Sequence, residues 1–137
     1  MNDQEMTDML RTARTIAVVG LSPKPDRPSY RVAAYMQRAG YRIVPVRPGG
    51  GKVLDETAYD TLDAIPKEIK VDIVDVFRRP EDTPPIAEEA VRIGARVFWL
   101  QSGIVNDAAL TIAHKAGLLT TQDLCLMVEH KRLVGVA

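Results

Sequence analysis

Thr15-Ile16-Ala17-Val18-Val19-Gly20-Leu21-Ser22-Pro23-Lys24-Pro25-Asp26-Arg27-Pro28-Ser29 joins the most strand-like run of the N-terminal half to an unusual turn and then to a helix start. Ile16 to Val19 is an unbroken apolar run of the kind that forms a buried parallel strand, and Gly20 ends it with a residue that lets backbone approach a ligand closely. Beyond the turn, Val32, Ala33, Met36 and Ala39 recur at helical spacing, with Ser29 placed to supply an N-cap oxygen. A strand, a loop and a helix N-terminus in that order gather free backbone N–H groups and the positive end of a helix dipole at one point, which suits a phosphate. The stretch predicts an α/β fold with a nucleotide-type ligand.

Working outward, Gly40 sits where a helix-ending glycine belongs, and residues 41–46 form a second strand, completing a βαβ unit of ~30 residues. Arg47-Pro48-Gly49-Gly50-Gly51-Lys52, with a proline and three glycines, predicts a flexible loop at the carboxyl end of that strand. Further on come a weak helical turn over 59–65, a third strand over 71–77 and a helix over 81–93, whose Pro84 and Pro85 are tolerable because they come early. A fourth strand over 96–100, a helix from Asn106 or Asp107 to Lys115, a short fifth strand over 117–121 and one or two helical turns over 123–133 complete the chain. Upstream, Met6, Met9, Leu10 and Ala13 share one side of a short amphipathic helix over 3–13 that Thr7 or Asp3 would cap. This alternation predicts a doubly wound, five-stranded parallel sheet with helices on both faces. The economical order is 3-2-1-4-5, with a ligand crevice at the carboxyl ends of the strands between the first and fourth.

The 137 residues suit one domain spanning 1–137. At 46% hydrophobic and 26% charged, the composition is that of a globular protein. No apolar run approaches the ~20 residues of a membrane span, and the first residues lack a signal-peptide layout, so a cytoplasmic location is expected. Cys125 is the one cysteine, which excludes an internal disulfide. A net charge of zero speaks against a nucleic-acid or membrane surface, yet seven of the 18 basic side chains and one of the 18 acidic ones fall between residues 21 and 54. Positive charge is gathered around the opening turn, with Lys24, Arg27, Arg31 and Arg47 favoured as functional and Arg38 and Arg42 as a solvated far end.

A nicotinamide dinucleotide site normally carries G-x-G-x-x-G after the first strand and an acid after the second. Here Gly20 stands alone, and the position after the second strand is Arg47, which favours an extra phosphate on the ribose, as in NADP or coenzyme A. Pro23, Pro25 and Pro28 leave fewer N–H groups than a glycine-rich loop, so side chains must do more, with Ser22, Lys24, Arg27 and Ser29 as the available donors.

Gly20-Leu21-Ser22 with Arg27-Pro28-Ser29, Gly40-Tyr41-Arg42-Ile43-Val44-Pro45-Val46, Val71-Asp72-Ile73-Val74-Asp75-Val76-Phe77-Arg78, Trp99-Leu100-Gln101-Ser102-Gly103 and the tail over 123–133 resemble the small bacterial CoA-binding proteins. These are similar to the CoA-binding domain of the succinyl-CoA synthetase α subunit and of the ADP-forming acyl-CoA synthetases. The resemblance covers nearly the whole chain. It implies a Rossmann-like fold with coenzyme A, or an acyl-CoA, across the strand ends. Its phosphates would lie near Gly20, Leu21, Ser22, Lys24, Arg27 and Ser29. Its adenosine end would lie near Val46, Arg47 and Pro48, with Val76, Phe77 and Arg78 lining the middle. The chain departs from the family pattern at Arg47, where Asn is usual, and at Leu124, where a basic residue is usual.

Catalytic groups are sparse. His114 and His130 have no ligand spacing to each other or to Cys125, and both are expected at the surface or in capping roles. Cys125, among apolar neighbours, is expected to be a small buried hydrophobe, and Asp75 to bond nearby backbone donors. The synthetase relatives use a phosphorylatable histidine on a further domain that this chain has no room for. Binding without turnover is the expectation, as a carrier, sensor or partner of a separate enzyme. The competing readings are an NADP-linked oxidoreductase and a protein-interaction module with a vestigial crevice.

Overall fold

The computed structural model describes residues 1–135. β1 (Thr15–Val19) is buried along its whole length and pairs in parallel with β2 (Arg42–Val46) on one side. The helix between them, α2 (Pro28–Arg38), makes the βαβ unit. The chain then forms a small antiparallel hairpin, β3 (Lys52–Val53) and β4 (Glu56–Thr57), and a 3₁₀ turn over Leu62–Ala64. β5 (Ile73–Val76), α3 (Thr83–Arg92), β6 (Val97–Leu100), α4 (Asp107–Lys115), β7 (Leu119–Thr121) and α5 (Leu126–Leu133) follow, and α1 (Asp3–Thr12) precedes β1. The main sheet is parallel, in the order β2-β1-β5-β6-β7.

This architecture is the expected doubly wound α/β sheet, but the strand order differs. Counted along the main sheet, it is 2-1-3-4-5 rather than 3-2-1-4-5. Pro45 supplies the reason: lacking an N–H, it fits an edge strand, and β2 is that edge. The outer side of β2 is closed by Tyr59, whose N–H donates to the Pro45 carbonyl while the Arg47 N–H donates to the Tyr59 carbonyl. β5 therefore enters on the free side of β1, and the direction of winding reverses between β1 and β5. That change brings the loops after these two strands side by side.

Alternation along the strands divides two apolar layers. Ile16, Val18, Ile43, Ile73 and Trp99 face α1, α2 and α5, while Val74, Val76, Phe98 and Leu100 face α3 and α4. The flexible loop expected over 47–52 instead leads into the hairpin, where Leu54 and Asp55 take left-handed φ angles of 55° and 63°. The cap of α1 is Asn2 rather than Thr7 or Asp3: its side chain accepts from the Glu5 N–H while Glu5 accepts from the Asn2 N–H, a reciprocal capping box.

Candidate functional site

The turn after β1 is held from both sides. The Gly20 N–H donates to the Val46 carbonyl at 2.8 Å, and the Phe77 N–H donates to the Val19 carbonyl at 2.8 Å. Gly20 has φ +85°, and a Cβ there would lie 2.3 Å from the Phe77 carbonyl oxygen. Only glycine allows the first and third βα loops to close on each other at this point.

Ser29 does not cap α2. Arg27 occupies the N-cap position without a side-chain bond, and Pro28 begins the helix, so no hydroxyl closes its first turn. The Ser29 Oγ instead accepts from the Ser22 N–H at 3.0 Å, and the Ser22 Oγ accepts from the Lys24 N–H at 3.1 Å. Two serines thus stitch the proline-rich turn to the helix, and each hydroxyl keeps its proton to donate. This local use of both serines follows from the fixed φ of Pro23, Pro25 and Pro28, which leaves the turn short of regular backbone bonds.

Around this turn lies a cleft of about 650 Å³ at the carboxyl ends of β1, β2 and β5. Gly20, Leu21, Ser22, Lys24, Arg27 and Ser29 from the first loop border it, as do Arg47 and Pro48 after β2, and Phe77 and Arg78 after β5. Two of the expected residues lie elsewhere. Val76 is fully buried in the layer facing α3, because alternation turns it away from the cleft that Phe77 borders, and Val46 opens only onto a minor cavity behind Arg47. Pro23 and Pro28 also line the cleft. Arg47 is half-buried and donates to the Gly50 carbonyl at 3.3 Å, so the glycine turn orients its guanidinium. Four cations and two hydroxyls border one open concavity, an arrangement suited to anionic oxygens.

The chain segment from residue 14 to 131 matches the family model for a CoA binding domain. The chain belongs to the CoA-binding domain family. A CoA-binding-family chain of this length has a near neighbour in protein YneT of Bacillus subtilis (strain 168), 44% identical over 128 residues that cover 92% of both chains. The structure of cell-free ID.343 from Thermus thermophilus is 40% identical, covers 97% of this chain and 99% of its own, and superposes with a TM-score of 0.91. The dinucleotide-forming acetyl-coenzyme A synthetase 1 of Ca. Korarchaeum cryptofilum shares the fold, at 17% identity and a TM-score of 0.73, over 85% of this chain and 28% of that one. The fold of this chain therefore recurs within a longer synthetase chain.

Two side chains outside the cleft differ from expectation. Asp75 on β5 is fully buried, and among the described residues neither carboxylate oxygen has a partner. Burial holds its carboxyl well above the usual range. The β5 backbone donors that might have met it are committed to the parallel ladders with β1 and β6. His130 is 4% exposed rather than at the surface: its Nδ1 is 2.8 Å from the Tyr35 hydroxyl, and Tyr35 and Tyr41 approach its ring edge-on. The helical pattern of α5 places it inward beside Leu126, a signal that residues 126–133 carried in their spacing. His114 is exposed on α4. Among the described residues, no group of three His, Cys, Asp or Glu side chains could hold a metal ion, and no helix is long and apolar enough to cross a membrane.

Proposed function

We propose that the chain acts as one unit that binds coenzyme A or an acyl-CoA in the cleft after β1, β2 and β5, and presents it to a separate enzyme without turning it over. The observation that carries this reading is the set of donors around one concavity, Ser22, Ser29, Lys24, Arg27, Arg47 and Arg78, in a chain of the CoA-binding domain family. In this reading the diphosphate lies over the start of α2, where the first-turn N–H groups and the helix dipole favour negative charge. Arg47, oriented by Gly50, meets the phosphate on the ribose. Neither histidine borders the cleft, so its residues supply charge and hydrogen bonds rather than a proton relay.

A ligand that binds only the folded state adds about 2.7 kcal/mol of stability at 100 times its Kd. Thermal unfolding of the purified protein is expected to shift upward with CoA, less with 3′-dephospho-CoA and little with NADP. Equal shifts with CoA and dephospho-CoA would remove Arg47 from the ribose phosphate, and no shift with either would overturn the CoA reading.

A further inference from the structure

A second cavity, of about 450 Å³, lies at the amino ends of the strands, the opposite end of the sheet from the cleft described above. Val71 on its wall stands two residues before β5 begins, and Arg92 and Ile93 lie at the end of α3, which runs back against the strands. The other wall follows the 3₁₀ turn over Leu62–Ala64 and is shaped by a tight turn in which the Ile69 N–H donates to the Pro66 carbonyl at 3.0 Å. We propose that this cavity is a second ligand site, for a carboxylate carried on a short apolar body, such as a short aliphatic acid.

The floor supplies the apolar half of that match. Ile65 and Val71 are buried members of the apolar layer that faces α3 and α4, and Ile69 and Ile93 pack against it while staying partly open. The cavity is within the size range of small-molecule sites, roughly 300–1,000 Å³. An apolar body seated on this floor removes both surfaces from water.

The border supplies the charge. Its charged residues are Lys67, Lys70, Arg92 and Asp63. Asp63 is already answered, because its two oxygens accept from Arg92 Nη2 at 2.7 Å and from Arg92 Nε at 3.3 Å. This clasp orients the guanidinium and leaves its Nη1 without a protein partner among the described residues. Lys67 and Lys70 make no ion pair among the described residues either. Glu68, between them in sequence, does not border the cavity, and Glu88 and Glu89 act on Arg92 from outside it. Three cations and one committed acid leave a surplus of two positive charges beside an apolar floor. The partial negative charge at the C-terminal end of α3, about half a unit, asks for less than that. A neutral apolar ligand would leave the cations unused, and an inorganic anion would leave the floor wet; a carboxylate with an apolar tail uses both. None of these residues borders the cleft after β1, so the inference does not rest on the CoA reading.

The test follows backbone amide shifts of the isotope-labelled full-length protein as hexanoate, hexanol, acetate or inorganic phosphate is added. Hexanoate is expected to shift amides between residues 63 and 71 and at 92–93 in a saturable way. Acetate keeps the charge but loses the buried methylenes, and is expected to bind at least ~10-fold more weakly. Hexanol keeps the chain but loses the charge, and is expected to bind at least ~10-fold more weakly as well. Phosphate is expected to leave these amides far from saturation at the concentration where hexanoate saturates them. Combining Lys67→Gln with Lys70→Gln, both at exposed positions, is expected to bring hexanoate down to the level of hexanol while hexanol's own affinity stays unchanged, which a loss of folded structure would not do. Hexanoate shifts that do not saturate, or that fall on the loops after β1, β2 and β5 instead, would overturn the proposal. So would equal binding of hexanoate and hexanol or of hexanoate and acetate, saturation by phosphate at the same concentration, or parental affinity in the double variant.

Discussion

Between Val74 and Val76 the chain places a carboxyl whose register neighbours are Val18 on β1 and Trp99 on β6. The unfolded chain ionises this carboxyl near 3.8, whereas the folded chain keeps it protonated to higher pH. The folded state therefore binds the extra proton, and stability falls as pH rises from about 4 through the raised native pKa. Asp75→Asn removes that dependence. The variant is expected to be more stable than the parent at pH 8 by at least ~1 kcal/mol in urea unfolding, with the difference shrinking towards pH 4. A variant less stable than the parent at pH 8 would mean that the carboxylate has a partner in solution. Gly20 stood out in the sequence as a point where backbone could approach a ligand closely, and the close approach that the structure shows there is to the Phe77 carbonyl of the neighbouring loop. Gly20→Ala sets a Cβ 2.3 Å from the Phe77 carbonyl at a left-handed φ, whereas Gly103→Ala, at φ +83°, meets nothing within 4 Å. Gly20→Ala is expected to cost more than ~2 kcal/mol and Gly103→Ala only ~1 kcal/mol in the same assay, since the second carries backbone strain without a clash. Equal costs would show that the approach of the two loops relaxes freely.

At the scale of elements, α5 is the helix that fastens the α1–α2 layer. Arg132 makes two hydrogen bonds to Asp3 on α1, both 2.9 Å, and His130 meets Tyr35 of α2. Burial lowers the His130 pKa from its ordinary 6.5. The unfolded chain thus takes up a proton first, and the stability of this contact is present above pH 6.5 and lost as pH falls. The groups facing the ring are the Tyr35 and Tyr41 phenols, with the Lys131 ammonium 5.2 Å over the Tyr35 ring, and among the described residues no carboxylate pairs with His130. His130→Gln keeps a partner for the Tyr35 hydroxyl and cannot titrate. The parent is expected to lose stability on the order of 1 kcal/mol relative to this variant between pH 7 and 5, followed by chemical denaturation. A constant difference between the two proteins across that range would show that the imidazole takes up its proton alike in the folded and the unfolded chain, so that burial does not lower its pKa. The elements themselves were largely legible, because apolar runs and helical spacing report burial directly. The β3–β4 hairpin was not: its turn residues are Leu54 and Asp55, without the glycine that normally announces left-handed φ. Its place against β2 is set by tertiary contact rather than by local preference.

For the whole molecule, counting strands did not fix their order, since either side of the β1–β2 pair accepts a third parallel strand; Pro45 was the one residue that marked β2 as the edge. The cleft survived that error because its loops follow the carboxyl ends of the same strands in either order. Charge distribution carries the remaining argument. The chain is neutral overall, yet Lys24, Arg27, Arg47 and Arg78 converge on the cleft, while Arg38 and Arg42 are exposed at the far end of the βαβ unit. A neutral protein with a local cationic cleft attracts an anionic nucleotide through a field that salt screens, with a Debye length near ~10 Å at 0.1 M shrinking to ~3 Å at 1 M. CoA affinity by calorimetry is therefore expected to weaken about tenfold or more between 0.05 and 0.5 M NaCl. Substituting Arg38 and Arg42 together by glutamine should leave both the affinity and its salt slope unchanged, because these side chains sit beyond the screened reach of the cleft. A salt-independent affinity would assign binding to the serine hydroxyls instead. A slope that flattened in the Arg38/Arg42 variant would show that the whole basic face, rather than the four cations at the strand ends, draws the ligand in.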